Sequence, residues 1–215
     1  MLLPRQPISS PPAHDPSTPL VRVADDEPSI QDLFVSMAAL GGFTPQPHLT
    51  AKSLLDTLDE TRPGCLVLDL ILPDATGIEV LQELAKRECK LPVVFVSGMA
   101  RVSEAVSALK LGSVDFIEKP FEVQDMLTVI RRAIELDAGN RRNELDQGQL
   151  RSRFDKLSPR EREVMEQVVQ GAANKEVAAV LGLSPKTVEV HRANVMRKTN
   201  AQSLAELVRM RLAVH

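Results

Sequence analysis

Four short apolar runs and one weaker strand-like run alternate with amphipathic stretches between Leu20 and Leu136, and this alternation constrains the fold more than any other feature of the chain. The apolar runs predict buried strands, at Leu20–Ala24, Cys65–Asp69, Val93–Ser97 and Val114–Glu118, and the weaker run predicts a weak strand near Thr44–His48. Helical periodicity follows each run, over Ser29–Leu40, Ala51–Asp59, Ile78–Arg87, Val102–Leu111 and Val123–Leu136. Repeated strand–helix units form a parallel sheet with helices on both faces. We therefore predict an α/β domain with a doubly wound, five-stranded parallel sheet.

The second predicted strand carries two prolines, Pro45 and Pro47. Proline has no N–H group to donate to a neighbouring strand, so such a strand belongs at the edge of a sheet. A strand order of 2-1-3-4-5 places it there.

Acidic residues stand at the ends of two predicted strands. Asp25 and Asp26 follow the first strand, and Asp69 ends the third. Parallel strands present functional side chains beyond their carboxyl ends, so these three carboxylates should share one small site. Carboxylates held that close repel one another unless a cation neutralises them, and oxygen ligands suit Mg2+. The pattern predicts a magnesium site.

The chain has a length of 215 residues, which favours two domains. Residues 151–215 hold 12 Lys and Arg against 7 Asp and Glu, whereas the whole chain has a net charge of −3. Serines followed by helical patterns at Ser158, Ser184 and Ser203 predict capped helices in this basic part. The predicted organisation is a disordered Pro-rich tail (1–19), the α/β domain (20–137), a polar, partly helical linker (138–155) and a basic helical domain (156–215).

Several classes of protein are disfavoured by composition. No apolar stretch reaches the length of a membrane-spanning helix, and the first residues lack a hydrophobic signal core, so we expect a cytoplasmic protein without a membrane partner. Cys65 and Cys89 lack metal-ligand spacing and are predicted to be buried or half-buried thiols. The absence of Trp and Tyr argues against a stacking surface for single-stranded nucleic acid.

Four motifs between residues 20 and 137, VADDE, VLDLILPDATG, VFVSG and FIEKPF, together resemble the receiver domain of two-component response regulators, which has a flavodoxin-like fold. The resemblance implies that Asp69 is the phosphoacceptor. It also implies that Asp25, Asp26, Asp69 and the backbone carbonyl of Ile71 hold Mg2+. Lys119, aimed by a cis bond before Pro120, would pair with Asp69 at rest and with the phosphoryl oxygens afterwards. A plain Lys119–Asp69 ion pair is the structural alternative.

The same resemblance assigns a switch to the fourth and fifth strands. The Ser97 hydroxyl would donate to a phosphoryl oxygen, and the ring of Phe116 would then turn inward, although a static core ring is an equal alternative for Phe116. The dimer surface would lie around Arg101 to Glu118. Ile71 and Met99 are apolar and flank the approach of water to the phosphorus, which predicts slow hydrolysis.

Residues 157–212 resemble the LuxR-type helix-turn-helix at the carboxyl end of NarL/FixJ-type response regulators. Val188, Val195 and His191 should face inward, which leaves Glu189, Val190 and Arg197 on the face that enters the major groove. For His191 a buried structural ring is as good an interpretation as a DNA contact. The predicted DNA-binding residues are Asn174, Lys175, Lys186, Thr187, Glu189, Val190, His191, Arg192, Asn194, Arg197 and Lys198. The chain departs from the family pattern at Ala173, where Ser or Thr is usual, and at Thr199, where Leu is usual.

These features predict a phosphorylation-dependent transcriptional regulator. A sensor histidine kinase would donate the phosphoryl group to Asp69, and the homodimer would bind paired half-sites on promoter DNA, with RNA polymerase as a further candidate partner. Such a protein is not an enzyme, except for its own phosphoryl transfer and dephosphorylation.

Two rival functions fit the sequence less well. A haloacid-dehalogenase-like phosphohydrolase needs a second acid two residues after its nucleophile, and Ile71 occupies that position. A pseudo-receiver that binds DNA constitutively usually lacks an acid or the lysine, and none is missing here.

Overall fold

The computed structural model describes residues 18–98 and 108–214. Contacts divide the chain into two compact units, with the division after Asn140. Five parallel strands form the sheet of the first unit, β1 Leu20–Ala24, β2 Thr44–His48, β3 Gly64–Asp69, β4 Val93–Ser97 and β5 Asp115–Glu118. Their order is β2-β1-β3-β4-β5, so the predicted fold and the edge position of β2 are confirmed.

Helices cover both faces of the sheet, α1 Pro28–Gly41, α2 Ala51–Asp56, α3 Gly77–Lys86 and the beginning of α4 Val123–Asp155. Side chains alternate along the strands: Val21 and Val23 pack with Phe34 of α1 and Ile130 of α4. Ala24, Leu66 and Phe95 point to the other face and pack with α2 and α3. Most of the helix predicted over Val102–Leu111 lies outside the described residues.

The edge strand is held to β1 by its alternate amides. The N–H of Thr44 donates to the carbonyl of Pro19 over 2.8 Å. Because successive amides of a strand point in opposite directions, Pro45 and Pro47 stand at the positions whose amides would face away from β1. The missing N–H groups therefore cost the sheet no hydrogen bond.

Two helices end elsewhere than the sequence pattern predicts. Helix α2 stops at Asp56 rather than Asp59, since Asp59 instead accepts the N–H of Thr61 in a turn. Helix α4 continues to Asp155 instead of ending near Leu136. Its residues after Asp137 are mostly exposed and polar, so no apolar periodicity marks them as helical.

The second unit is helical, with α5 Pro159–Val169, α6 Asn174–Leu181, α7 Pro185–Thr199 and α8 Leu204–Ala213. Ser158, Ser184 and Ser203 cap α5, α7 and α8 through their side chains, as predicted. Gly182 ends α6 in the left-handed region at a φ of 65°, which permits the tight turn to α7. Leu150 and Phe154, near the end of α4, pack in the core of this unit with Met165 and Leu207.

The thiols match the prediction, since Cys65 is buried in β3 and Cys89 is half-buried. Burial raises the pKa of Cys65 to about 12. Within residues 18–98 and 108–214, no helix is both long and apolar enough to cross a membrane.

Candidate functional site

The carboxyl edge of the sheet brings one lysine and three acids together. Strands β1 and β3 are neighbours, with Ala24 opposite Leu68, so the acids that follow them lie side by side. Lys119 follows β5, and its Nζ lies 2.7 Å from Asp25 Oδ2, 2.7 Å from Asp69 Oδ2 and 2.9 Å from Glu27 Oε1. The structure therefore brings together Asp25, Asp69 and Lys119, which were singled out from the sequence.

Glu27 is a member of the cluster that sequence reasoning missed. Carboxylate oxygens of Asp25, Glu27 and Asp69 lie within 4.8 Å of one another, whereas Asp26 is exposed and outside this group. The chain turns sharply after β1, because the N–H of Glu27 donates to Asp25 Oδ1 over 3.0 Å. Three consecutive acids give no periodicity that tells which of them face the site. Asp26 as a magnesium ligand stays a prediction.

Burial and pairing act against each other in this cluster. Asp25 is 2% exposed, and loss of hydration raises the pKa of its carboxyl, although the Lys119 ammonium opposes the rise. Burial alone would lower the pKa of Lys119, but hydrogen bonds to Asp25, Asp69 and Glu27 raise it above its ordinary value. Lys119 therefore stays an ammonium, and it neutralises part of the crowded negative charge. The oxygen-rich donor set suits a hard divalent cation such as Mg2+.

Asp69 is held in a fixed orientation by its own loop. Its Oδ1 accepts the N–H of Ile71 over 2.9 Å, while Oδ2 faces Lys119. The first residue of α3, Gly77, approaches the same backbone so closely that an added Cβ would lie 2.4 Å from the carbonyl oxygen of Asp69. The phosphoacceptor candidate is thus at a strand end, 7% exposed, with its carboxylate directed at Lys119.

The remaining residues assigned to phosphoryl transfer and switching surround this point. Ser97 is buried at the end of β4, and its carbonyl accepts the N–H of Lys119 over 2.8 Å. The Lys119–Pro120 peptide bond is cis, as the resemblance implied. Phe116 is partly buried in the core of β5, and Ile71 is 63% exposed. Met99 and Arg101 lie outside the described residues.

Helix α7 carries most of the predicted DNA-binding residues. Val188 and Val195 are buried, and Val190 on another face is 55% exposed. The other exposed residues of this helix include Lys186, Glu189, Ala193 and Arg197. His191 is half-buried, and its Nδ1 has no hydrogen-bond partner among the described residues. The helix thus has one face packed in the unit and one that is accessible.

Several predicted DNA contacts are engaged within the unit. Arg192 donates to Asn174 Oδ1 over 2.8 Å, and Arg197 donates to Asn194 Oδ1 over 3.2 Å. Lys198 donates to Glu161 Oε2 over 2.7 Å, and Glu161 is 4% exposed. Lys198 therefore joins α7 to α5, a structural role that the sequence pattern did not reveal. Lys175, Lys186 and Thr187 remain at least partly accessible.

The two departures from the family pattern have visible effects. Ala173 begins α6 without a side-chain acceptor, so that only the carboxylate of Glu176 closes the turn, by accepting the N–H of Ala173 over 2.7 Å. Thr199 is fully buried, and its hydroxyl donates to the carbonyl of Val195 over 2.8 Å. The Thr199 hydroxyl is thus satisfied within its own helix.

Comparison with known proteins gives matches over both units. Residues 21–131 match the family described as response regulator receiver domain, and residues 155–211 match that of bacterial regulatory proteins of the luxR family. Transcriptional regulatory protein FixJ of Rhizobium meliloti (strain 1021) is 42% identical over 193 residues, which cover 90% of this chain and 95% of that protein.

Solved structures give the same picture. The response regulator StyR is 34% identical, with a TM-score of 0.80 over 91% of this chain and 98% of that chain. Full-length FixJ from B. japonicum is 36% identical, with a TM-score of 0.56 over 91% of this chain and 97% of that chain. The similarity to both proteins therefore extends across both units.

Proposed function

This chain belongs to the two-component response regulators that carry a receiver domain and a LuxR-type DNA-binding domain, and from that premise we propose that it is a phosphorylation-dependent transcriptional regulator. The observation that carries the proposal is the contact of Lys119 with both Asp25 and Asp69 at the carboxyl edge of the sheet. Residues 20–137 act as the receiver, residues 138–155 as the linker and residues 156–215 as the DNA-binding domain.

Asp69 is the phosphoacceptor. An oxygen of its carboxylate attacks the phosphorus of a phosphohistidine on a sensor kinase. The nitrogen–phosphorus bond breaks, its electron pair returns to the imidazole, and an acyl phosphate forms on Asp69. Lys119 supports this step, because its ammonium lies 2.7 Å from the carboxylate and can follow the charge onto the phosphoryl oxygens.

Mg2+ would be held by Asp25, Asp26, Asp69 and the carbonyl of Ile71, with Glu27 as an additional acid of the pocket. When bound, the ion stabilises the negative charge that the carboxylate and phosphoryl oxygens share. The carboxylates of Asp25, Glu27 and Asp69 lie close enough to serve one ion, and the oxygen donor set fits its chemistry.

The phosphoryl group is then sensed by Ser97 and Phe116. The Ser97 hydroxyl donates to a phosphoryl oxygen, and Phe116 on the neighbouring strand turns further into the core. Ser97 lies opposite Glu118, and Phe95 lies opposite Phe116, so a shift at the end of β4 reaches β5 directly. The changed surface around β5 joins two receivers into a homodimer.

The DNA-binding domain reads the major groove with the accessible face of α7. Lys186, Arg192 and Arg197 contact phosphates, while Glu189 and Val190 touch base edges. Asn174, Lys175, Thr187, His191 and Asn194 complete the interface. Lys198 reaches a phosphate only if it leaves Glu161, so its contribution is the smallest of the four cations on this helix. RNA polymerase is a further candidate partner at the promoter.

The test uses the full-length protein and Asp69→Asn, each with and without acetyl phosphate and Mg2+. Wild type should become a dimer by light scattering and bind promoter DNA about tenfold more tightly or better when phosphorylated. Asp69→Asn should stay in the resting state under both conditions. Equal DNA affinity in all four samples would overturn the proposal and leave a constitutive DNA-binding protein.

A further inference from the structure

Asp74 lies at the tip of the loop that follows the phosphoacceptor strand. The loop is closed on itself, because Leu72 N–H donates to the carbonyl of Ala75 over 3.1 Å and Ile71 pairs with Thr76. Gly77 N–H also donates to the carbonyl of Leu70 over 2.9 Å. The tip therefore moves together with the backbone of Asp69 and Ile71.

The carboxylate of Asp74 reaches across to the segment that follows the edge strand. Its Oδ1 accepts the N–H of Ala51 over 2.8 Å, and its Oδ2 accepts the N–H of Lys52 over 2.9 Å. The N–H of Lys52, followed by that of Ala51, lowers the pKa of Asp74, so the group is a carboxylate at neutral pH. Hydrogen bonds to an ionised acceptor are stronger than neutral ones.

The same segment is tied to the acidic turn on its other side. The carbonyl of His48 accepts the N–H of Asp25 over 3.0 Å and the side-chain amide of Gln31, also over 3.0 Å. That Gln31 amide further donates to the carbonyl of Asp25 over 2.8 Å. Residues 48–52 thus hold the acidic turn by one end and, through Asp74, the phosphoacceptor loop by the other.

The connection matters because direct pairing between β1 and β3 stops short of the two acids, although Asp69 itself still pairs with Val96 of β4. Pairing of β1 with β3 ends at Ala24 and Leu68, one residue before Asp25 and Asp69. Beyond that point the two loops are joined by Lys119 and by the path through Asp74, residues 48–52 and Asp25. Lys119 must change partners during phosphoryl transfer, whereas the Asp74 path takes no part in the chemistry.

We propose that Asp74 is a positioning residue, which fixes the separation between the Asp25–Glu27 turn and the Asp69–Ile71 loop so that oxygens of both face one Mg2+. The proposal rests on the proposed function, because it concerns the cation of the same site. Residues that orient the ligands of a metal typically change its affinity 10- to 100-fold, and Asp74 is joined to Ile71 through the backbone of their closed loop.

Three variants separate geometry from charge. Asp74→Ala removes both acceptors and should raise the Mg2+ dissociation constant about tenfold. Asp74→Asn lacks the charge but keeps one oxygen that can accept the N–H of Ala51. Its Mg2+ affinity should therefore fall less than that of Asp74→Ala. Asp56→Ala is the matched control, because Asp56 is an exposed acid of α2 that pairs with the Lys52 side chain. The Mg2+ affinity of Asp56→Ala should stay within about twofold of wild type.

The measurement is titration calorimetry of Mg2+ into the full-length, unphosphorylated proteins, with thermal unfolding and acetyl phosphate labelling in parallel. A wild-type Mg2+ affinity in Asp74→Ala, with or without a lower melting temperature, overturns the proposal and leaves Asp74 as a cap of α2. An equal loss of Mg2+ affinity in Asp74→Asn and Asp74→Ala also overturns the positioning role, because the missing charge alone would then explain the loss. If Asp74→Ala does not fold, the Mg2+ affinity of Asp74→Asn is compared with that of Asp56→Asn. A weaker affinity is expected only in Asp74→Asn, and equal affinities overturn the proposal.

The two proposals fail differently. Wild type that binds Mg2+ but is not labelled at Asp69 contradicts the phosphoacceptor and leaves the role of Asp74 standing. Wild type that binds no Mg2+ contradicts the metal step, and the positioning role fails with it.

Discussion

Lys119 reduces the electrostatic repulsion among the acids at the carboxyl edge of the sheet. Three carboxylates lie within hydrogen-bonding distance of its ammonium, and two of them, Asp25 and Asp69, are largely buried. Without a cation, such a group would keep at least one proton at neutral pH. The Lys119 ammonium therefore offsets part of the negative charge of this cluster, and a divalent ion would add to that effect.

Glu27 provides a prediction at the scale of one residue. Glu27→Gln removes one charge from the acidic pocket while Asp25 and Asp69 keep their contacts with Lys119, so Mg2+ should bind about tenfold more weakly. Calorimetric titration of the full-length protein measures the change, and Asp32→Asn on the exposed surface of α1 is the control. Unchanged affinity in Glu27→Gln, together with abolished binding in Asp26→Asn, would limit Glu27 to its contact with Lys119.

Asp25 and Asp69 were predictable from sequence because they stand at strand ends, and parallel strands deliver their ends to one edge, whereas Lys119 was assigned by the resemblance to receiver domains. Glu27 was not predictable, since the turn after β1 depends on the hydrogen bond that the N–H of Glu27 donates to the Asp25 carboxylate rather than on any repeat. The ion pair between Lys198 and Glu161 was also not predictable from the sequence. From sequence alone, a lysine on a basic helix is expected to contact phosphate. Its partner Glu161 on α5 becomes evident only once the two helices are packed together.

At the scale of elements, the junction of β3 and α3 depends on the absence of a side chain at Gly77. An alanine Cβ there would lie 2.4 Å from the carbonyl oxygen of Asp69 and 2.8 Å from the ring of Phe95. Gly77→Ala should lower the free energy of unfolding by about 2–3 kcal/mol and reduce labelling of Asp69, because the strand end must move.

Urea unfolding measures this change, and Gly139→Ala is the control. Nothing lies within 4 Å of the Cβ position at Gly139 in α4, so alanine should be neutral or stabilise the helix by up to about 1 kcal/mol. A Gly77→Ala protein as stable as wild type would contradict the close approach.

Helices α5 and α7 are joined by the pair Glu161–Lys198, whose side chains are 6% and 28% exposed. The Lys198 ammonium, then the N–H of Ser158, lowers the pKa of Glu161 below its ordinary value of 4.5. A group with a lowered folded-state pKa contributes stability that is fully present above its ordinary pKa and is lost as the pH falls through the folded-state value.

Glu161→Gln should therefore cost about 1 kcal/mol at pH 7, and the difference from wild type should shrink as the pH falls below 4.5. Urea unfolding followed by methyl signals of Val164 and Val195 reports on these helices. Glu163→Gln, at an exposed pair with Arg160, should change stability by less than about 0.5 kcal/mol. A constant difference down to pH 3 would rule out the ionised pair as its source.

Element types followed from sequence more reliably than element ends. The strands and their order were predictable, because four of the buried parallel strands are apolar runs and the two prolines place the weaker β2 at the edge. The end of α4 was not, since its polar residues up to Asp155 carry no periodic signal, and only Leu150 and Phe154 meet a core.

For the whole molecule, dimerisation should make DNA binding sensitive to the spacing of half-sites. A two-fold dimer matches half-sites about one helical turn apart, so an insertion of about five base pairs turns one of them to the opposite side of the duplex. Phosphorylated wild type should lose about tenfold in affinity on the shifted site, while Asp69→Asn should bind both sites alike. Gel-shift titrations at one salt concentration measure this, and equal affinities for phosphorylated protein would indicate binding as monomers.

The two prolines of β2 bear on how copies of the protein can meet. The outward rim of the sheet displays carbonyls at Pro45 and Pro47 without the matching donors, so a strand from a second molecule finds only half of the bonds it would need to extend the ladder. Uncontrolled edge-to-edge pairing of sheets, which is a hazard of an exposed edge strand, is therefore disfavoured at β2. The proposed homodimer would therefore form through a surface other than the outer edge of β2.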